Sequence, residues 1–205
     1  MHPTQILIGE IAAIVEVAQS IPYYISILRG NTRPQRASYG IWLVIEIVAV
    51  SSYIASGATT TKWVPLISAF NSLVIFILAF KYGMGGKSKF DLFSLSLAGL
   101  AIAIWVITKN PVLAVYMSTL ADCIGFMPTI KKAYLYPSTE NTLSWCMYVV
   151  AVALNVCALT TTRLVIVLPL IITLIFSVVL ASLLLFPKVQ LAGIKRPNKL
   201  PKTLH

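Results

Sequence analysis

Seven apolar runs of about 20 residues cover most of the sequence and leave no room for a soluble domain between them. A bilayer core about 30 Å thick is crossed by a helix of roughly 20 mostly apolar residues. Composition agrees, because 58% of the residues are hydrophobic and 11% are charged, whereas a soluble domain carries about 25% charged residues. The sequence therefore predicts an all-α membrane protein with seven transmembrane helices, at about 5–28, 38–57, 62–82, 90–108, 111–133, 141–160 and 164–186.

Basic residues divide unevenly between the alternate loops. Thirteen of the 16 Lys and Arg residues lie at the ends of helices 1, 3, 5 and 7 or in the segments after them, and the other three are Lys62, Lys109 and Arg163. Because basic residues near helix ends stay in the cytoplasm, we expect the N-terminus outside and the C-terminus in the cytoplasm. The tail 187–205 has five basic residues and no acidic residue, so we expect it to be attracted to the surface of anionic lipid. The short loops favour a prokaryotic plasma membrane.

Several classes of function are disfavoured. The net charge of +10 is spread between apolar runs rather than along a stripe that could follow phosphates, so no nucleic acid partner is expected. Three cysteines cannot form a complete disulfide framework. Both histidines are terminal and no His/Cys/Asp cluster is present, so we expect no metal, no cofactor and no enzyme activity. An intramembrane catalytic pair of Glu16 and Asp122 is the one enzyme alternative that spacing leaves open. A retinal pigment would need a lysine in 164–186, which has none.

Three landmarks recur in the same order in helices 1–3 and helices 5–7. Glu16 precedes Pro22 by six residues, and Asp122 precedes Pro128 by six. The second landmark is a proline eight residues before a tryptophan, Pro34 with Trp42 and Pro137 with Trp145. The third is a run of three threonines followed by a basic residue, at 59–62 and 160–163.

This repeat has a topological consequence. Two three-helix units that begin on the same side of the membrane need one extra helix between them, so helix 4 is an inversion linker. The predicted domains are a first three-helix bundle (1–82), a linker helix (83–109), a second bundle parallel to the first (110–186) and a basic cytoplasmic tail (187–205). The architecture is 3-1-3.

The segments Ile21-Pro22-Tyr23 and Met127-Pro128-Thr129, the latter followed by Ser138-Thr139-Glu140, resemble the PQ-loop/SWEET (MtN3-like) superfamily of membrane transporters. Its members carry a proline in the inner part of the first helix of each triplet, a short basic loop and a Ser/Thr-bearing start to the second helix. The resemblance implies the 3-1-3 fold and solute transport. Asn71 resembles a sugar-contacting position of the SWEET family.

Four of the six acidic residues lie inside predicted helices, where an ionised carboxylate at the bilayer centre costs about 2.5–3.5 kcal/mol. They are Glu10, Glu16, Glu46 and Asp122. Glu16 and Asp122 occupy matching places near mid-membrane, so we expect them, together with Glu46, to bind a proton or a cationic group of the substrate. For Glu10, nearest the outer end, a structural and a functional role stay equally open. Asp91 and Glu140 are expected near the membrane surface.

Further candidates are the polar and aromatic residues at similar depth. Asn71, Asn155 and Tyr53 are predicted to contact substrate; the alternative for such amides is helix–helix hydrogen bonding, worth about 0.6 kcal/mol each. Pro22 and Pro128 free a backbone carbonyl and kink the helix, which suits gating. Trp42 and Trp145 lie about a turn from the membrane surface and are predicted to be interfacial anchors.

The residues together favour an integral membrane carrier of a small polar metabolite (a sugar, an amino acid or a vitamin) that works by alternating access. Proton coupling through the mid-membrane carboxylates is part of this hypothesis. The alternative is a membrane receptor of the same architecture that binds a ligand or cargo without transporting it. The expected partners are the small-molecule substrate and the lipid bilayer, and a homo-oligomer is left open.

Overall fold

A computed structural model of the protein describes residues 3–55, 63–109, 111–159, 162 and 164–186. This part of the chain contains seven α-helices and no strand. They are α1 (Pro3–Leu28), α2 (Arg36–Ala55), α3 (Trp63–Tyr82), α4 (Lys89–Thr108), α5 (Pro111–Leu135), α6 (Thr142–Cys157) and α7 (Leu164–Leu185), with a 3₁₀ turn at Pro137–Thr139 before α6. The prediction of an all-helical chain with seven helices is confirmed.

Helices α4 and α6 begin at side-chain caps that the sequence encodes locally. The side chain of Asn141 accepts a hydrogen bond from Ser144 N at 2.9 Å, which satisfies one of the free amides in the first turn of α6. At α4, Asp91 N donates to Ser88 Oγ at 3.1 Å and Ser88 N donates to Asp91 Oδ2 at 3.3 Å. This reciprocal pair is a capping box, and it fixes where the chain enters α4.

Asp91 is buried rather than exposed at a surface, with 3% of its area accessible. Besides its bonds to Ser88, its carboxylate accepts from Gln35 Nε2 at 3.0 Å and from Gly86 N at 2.8 Å. Gln35 lies in the α1–α2 loop and Gly86 lies in the α3–α4 loop. The carboxylate therefore joins the α1–α2 loop to the start of α4. The charge is accommodated because several N–H groups point at it.

Six helices form a closed ring and the seventh lies outside it. Around the ring, α1 contacts α3, α3 contacts α2, α2 contacts α5, α5 contacts α7, α7 contacts α6, and α6 contacts α1. Helix α4 packs on α5 and also touches α2. The ring leaves room for a central cavity, which is described below.

The outer surface of the helices is apolar. Large side chains such as Ile14, Phe70 and Ile107 are more than half exposed, and apolar surface of this extent is not typical of a monomer in water. Three described helical segments are long and apolar enough to cross a membrane. They are Thr4–Leu28, Lys89–Thr108 and Val167–Leu185.

Three loops meet at one end of the ring, which we call the polar end. They are residues 29–35, 83–88 and 136–141. Backbone hydrogen bonds join them: Arg33 N donates to Thr139 O at 2.9 Å, and Met84 N donates to Pro34 O at 2.9 Å. The polar end is therefore a connected layer rather than three independent loops.

Gly83 lies at the tightest point of this layer. A Cβ added to Gly83 would lie 2.6 Å from Pro34 O and would also collide with the backbone oxygen of Ala79. Such overpacking costs about 1–3 kcal/mol. We expect Gly83→Ala to lower the thermal unfolding temperature of the purified protein in detergent.

The control is Gly99→Ala in α4, where an added Cβ meets no heavy atom within 4 Å. Alanine is favoured over glycine inside a helix by about 1 kcal/mol, so Gly99→Ala should leave the unfolding temperature unchanged or raise it. Equal effects of the two substitutions would contradict the tight packing at Gly83.

Candidate functional site

A cavity lies inside the ring, with about 700 Å³ of empty space including its opening. Residues of α1, α2, α3, α5 and α6 line it. Four of the residues predicted to bind substrate line this cavity: Glu16, Glu46, Asn71 and Asp122.

Two predicted site residues are not part of the described cavity wall. Asn155 lies in α6, partly exposed, and does not belong to the lining. Tyr53 lies in a stretch of α2 whose side chains are outside the described part of the structure, so its role stays a prediction. Glu10 is exposed on α1.

Each half of the chain pairs a carboxylate of its first helix with a hydroxyl of its third. Ser68 Oγ in α3 donates to Glu16 Oε1 at 3.4 Å, and Thr173 Oγ1 in α7 donates to Asp122 Oδ2 at 3.0 Å. These bonds hold Glu16 and Asp122 in place without neutralising them. Sequence reasoning missed Ser68, although its position one turn before Asn71 on α3 is a usable signal.

Asn71 has a partner of its own. The hydroxyl of Tyr24 in α1 donates to Asn71 Oδ1, so the amide oxygen joins α1 to α3. This leaves the amide NH₂ of Asn71 as the group that can face a ligand. Both readings of Asn71, helix–helix bonding and substrate contact, are therefore compatible with its geometry.

Aromatic side chains form the wall of the cavity on the side of the polar end. The Trp42 ring lies 5.0 Å from Tyr39, 5.1 Å from Phe126 and 6.4 Å from Trp145, measured between ring centroids. Tyr148 packs edge-on against Trp145 at 5.8 Å. Such edge-to-face contacts fix the rings relative to one another.

The prediction that Trp42 and Trp145 are interfacial anchors is wrong. Both line the cavity, and Trp145 is 6% exposed. The physical reason is close helix packing at Gly125 in α5, where an added Cβ would lie 2.8 Å from Trp42 Nε1. Since glycine leaves that space free, the Trp42 indole turns into the ring of helices rather than outwards.

Beyond the aromatic wall, four side chains form what we call the Glu140 network: Tyr23, Lys132, Glu140 and Trp145. Glu140 Oε2 accepts from Tyr23 OH at 3.1 Å and from Trp145 Nε1 at 3.0 Å. Its other oxygen pairs with Lys132 Nζ, and the two side chains are 0% and 2% exposed. Glu140 lies in the polar-end loop just before α6, and a buried lysine and two donors compensate its charge. The expectation that it lies near the membrane surface stays a prediction.

Pro22 in α1 and Pro128 in α5 lie next to residues that join the halves. Tyr23, which follows Pro22, bonds Glu140 at the start of α6. Thr129, which follows Pro128, donates to Ser38 near the start of α2 at 2.8 Å. Thus the residue after each proline bonds a residue near the start of the second helix of the other half, on the polar-end side of the cavity.

A second cavity lies between α1 and α3. It shares Glu16, Ser68 and Asn71 with the central cavity, and its other walls include the exposed side chains of Ile21 and Phe70. The central carboxylate of α1 is thus adjacent to two spaces. The walls of the second cavity combine aliphatic side chains with the rings of Tyr24 and Phe70.

The carboxylates are not arranged as a metal centre. Within the described residues, no group of three or more His, Cys, Asp and Glu side chains is placed to hold a metal ion.

No family model matches the chain, and no curated protein and no solved structure shows a significant match to it.

The Glu140 network gives a stability prediction. Removing one partner of a buried ion pair leaves an uncompensated charge and costs about 3–5 kcal/mol. We expect Lys132→Met to lower the thermal unfolding temperature in detergent by on the order of 10 °C. The double variant Lys132→Met with Glu140→Gln should recover part of that loss, since neither charge remains.

The matched control is Lys131→Met at the next position. Lys131 is exposed and lies over the Phe90 ring at 4.3 Å, a contact worth about 0.5–1 kcal/mol at such sites. Its loss should therefore shift the unfolding temperature by far less than the loss of Lys132. A double variant no more stable than Lys132→Met alone would contradict the ion-pair explanation.

Proposed function

We propose that the protein is an integral membrane carrier for a small polar solute, working by alternating access between two three-helix units joined by α4. The observation that carries the proposal is the central cavity with carboxylates from both halves of the chain, Glu16 and Glu46 from one and Asp122 from the other. Carboxylates inside membrane helices are expensive to keep. Secondary carriers place solute and proton sites at such a depth, between repeated units.

The order in which the helices neighbour one another around the ring supports the 3-1-3 architecture and the resemblance to the PQ-loop/SWEET superfamily. Exchanging α1, α2 and α3 with α5, α6 and α7 turns every contact around the ring into another contact of the ring. Helix α4 has no counterpart in this exchange, as an inversion linker requires. The paired carboxylate–hydroxyl bonds of Glu16 with Ser68 and Asp122 with Thr173 follow the same exchange.

The bonds at the polar end support gating. Tyr23 and Thr129 follow Pro22 and Pro128, and each bonds the other half of the chain. Because an interior proline removes one backbone hydrogen bond of its helix, the segment beyond it can swing with little further loss. Opening this end of the cavity would break the bonds of Tyr23 and Thr129 while the prolines act as hinges.

Amide substitutions test the transport role of the carboxylates. Glu16→Gln and Asp122→Asn preserve shape and hydrogen bonding to Ser68 and Thr173, so both variants should fold and insert. We expect them to lose the pH dependence of solute uptake into proteoliposomes, because an amide cannot take up the proton. Glu46 and Tyr148 line the same cavity and stay unchanged in these variants. The solute is chosen by a thermal-shift screen of sugars, amino acids and vitamins.

Glu10→Gln is the control, since Glu10 is exposed on the same helix as Glu16. It should keep the rate and the pH profile of the unchanged protein. Uptake with an unaltered pH profile in both amide variants would contradict proton coupling and leave a passive carrier. A solute that binds tightly but never accumulates in proteoliposomes would favour the receptor alternative.

The proposed orientation has the polar end and the C-terminus in the cytoplasm, as the thirteen basic residues indicate. In a variant with Cys123, Cys146 and Cys157 replaced by alanine, single cysteines at positions 59, 110 and 161 should react with an impermeant thiol reagent added to intact cells. Cysteines at Arg29, Lys87 and Ser138, all exposed at the polar end, should react only after lysis. The opposite pattern would reverse the orientation.

A further inference from the structure

The charged residues in the described lining of the central cavity are all acidic. Glu16, Glu46 and Asp122 reach it from three different helices, and no Lys, Arg or His belongs to the described residues around it. Lys132, the base of the Glu140 network, is already paired with Glu140. An anion in this cavity would meet only like charge, whereas a cation would meet carboxylates at low dielectric, where attraction is stronger than in water.

An aromatic residue stands four positions away from an acid on two of the cavity helices. Trp42 and Glu46 are so related on α2, and Asp122 and Phe126 are so related on α5. Residues four apart lie on the same face of a helix, and one helical turn rises about 5.4 Å. The cavity thus has an acidic layer and, one turn nearer the polar end, an aromatic layer in which Trp145 contacts both Trp42 and Phe126.

The two layers together select for a particular ligand chemistry. Tryptophan and tyrosine faces attract alkylated ammonium groups, and carboxylates pair with the same positive charge. A bare metal ion is disfavoured, because the described carboxylates do not converge as metal ligands. A neutral polyol would leave the carboxylates without a counter-charge, and the oxygen of Asn71 is already bonded to Tyr24.

We infer that the solute is a compact organic cation, a primary amine or a quaternary ammonium compound. Its charged nitrogen lies between Glu16, Glu46 and Asp122, and its carbon body lies against Trp42, Phe126 and Trp145. This inference rests on the proposed carrier function for the claim that the ligand is moved, but its binding part stands on the cavity alone.

Pairs of probes that differ only in charge test this inference. Choline and 3,3-dimethyl-1-butanol have nearly the same shape, and so do 2-phenylethylamine and 2-phenylethanol; glucose is the polyol control. Binding is measured on the full-length protein in detergent by thermal shift across ligand concentrations. We expect the cation of at least one pair to bind about tenfold more tightly than its neutral partner, and more tightly than glucose.

Variants locate the bound charge. Glu16→Gln and Asp122→Asn should each weaken the cation by about tenfold or more and leave any weak binding of the neutral partner unchanged. Trp42→Leu should weaken the cation too, whereas Glu10→Gln, at an exposed carboxylate of α1, should leave its affinity unchanged. Neutral partners that bind as tightly as the cations, binding of glucose alone, or no binding by either cation would overturn the inference.

The two proposals fail differently. A cation that binds with the expected variant pattern but never accumulates in proteoliposomes leaves the inference intact and overturns the carrier function. Accumulation of glucose or of a neutral partner, with no advantage for the cations, leaves the carrier function intact and overturns the inference.

Discussion

The buried ion pair between Lys132 and Glu140 is the contact on which the central cavity depends. Glu140 also accepts from Tyr23 of α1 and Trp145 of α6, so one carboxylate joins α1, α5 and the start of α6. A buried carboxylate tolerates few alternative positions, because each lost partner leaves charge uncompensated at low dielectric. The position of the aromatic wall is restricted in the same way, because Trp145 belongs to both the Glu140 network and the wall.

The carboxylates of the molecule fall into two groups that differ in their partners. Asp91 and Glu140 are surrounded by donors and a base, and they hold loops and helices together. Glu16 and Asp122 each accept a hydrogen bond from one hydroxyl and face a cavity. A buried charge with a full set of partners holds those partners in place, because losing any of them is costly. A carboxylate that faces a cavity inside membrane helices is a candidate to bind a ligand or a proton. This difference separates structural acids from candidate functional ones.

The position of a residue in the repeat and its depth in a helix predicted most of the cavity lining that the sequence could predict. Glu16 and Asp122 were singled out by matching positions in two halves, and Glu46 and Asn71 by depth in their helices; all four line one cavity. Asn155 was chosen on depth alone, and it lies outside the described cavity wall because depth does not fix which face of a helix a residue occupies. Trp42 and Trp145 were misjudged for the same reason: an indole at that depth can face lipid or a neighbouring helix.

The sequence by itself determined the helices, since long apolar runs separated by Gly, Pro and Asn can satisfy their backbone only within each segment. It also determined which acids lie deep and how the landmarks repeat. The tertiary structure alone decided the ring order, the turn of Trp42 into the cavity beside Gly125, and the burial of Glu140 beside Lys132. These features depend on contacts between residues far apart in the chain, and helical spacing carries no information on which face meets which neighbour.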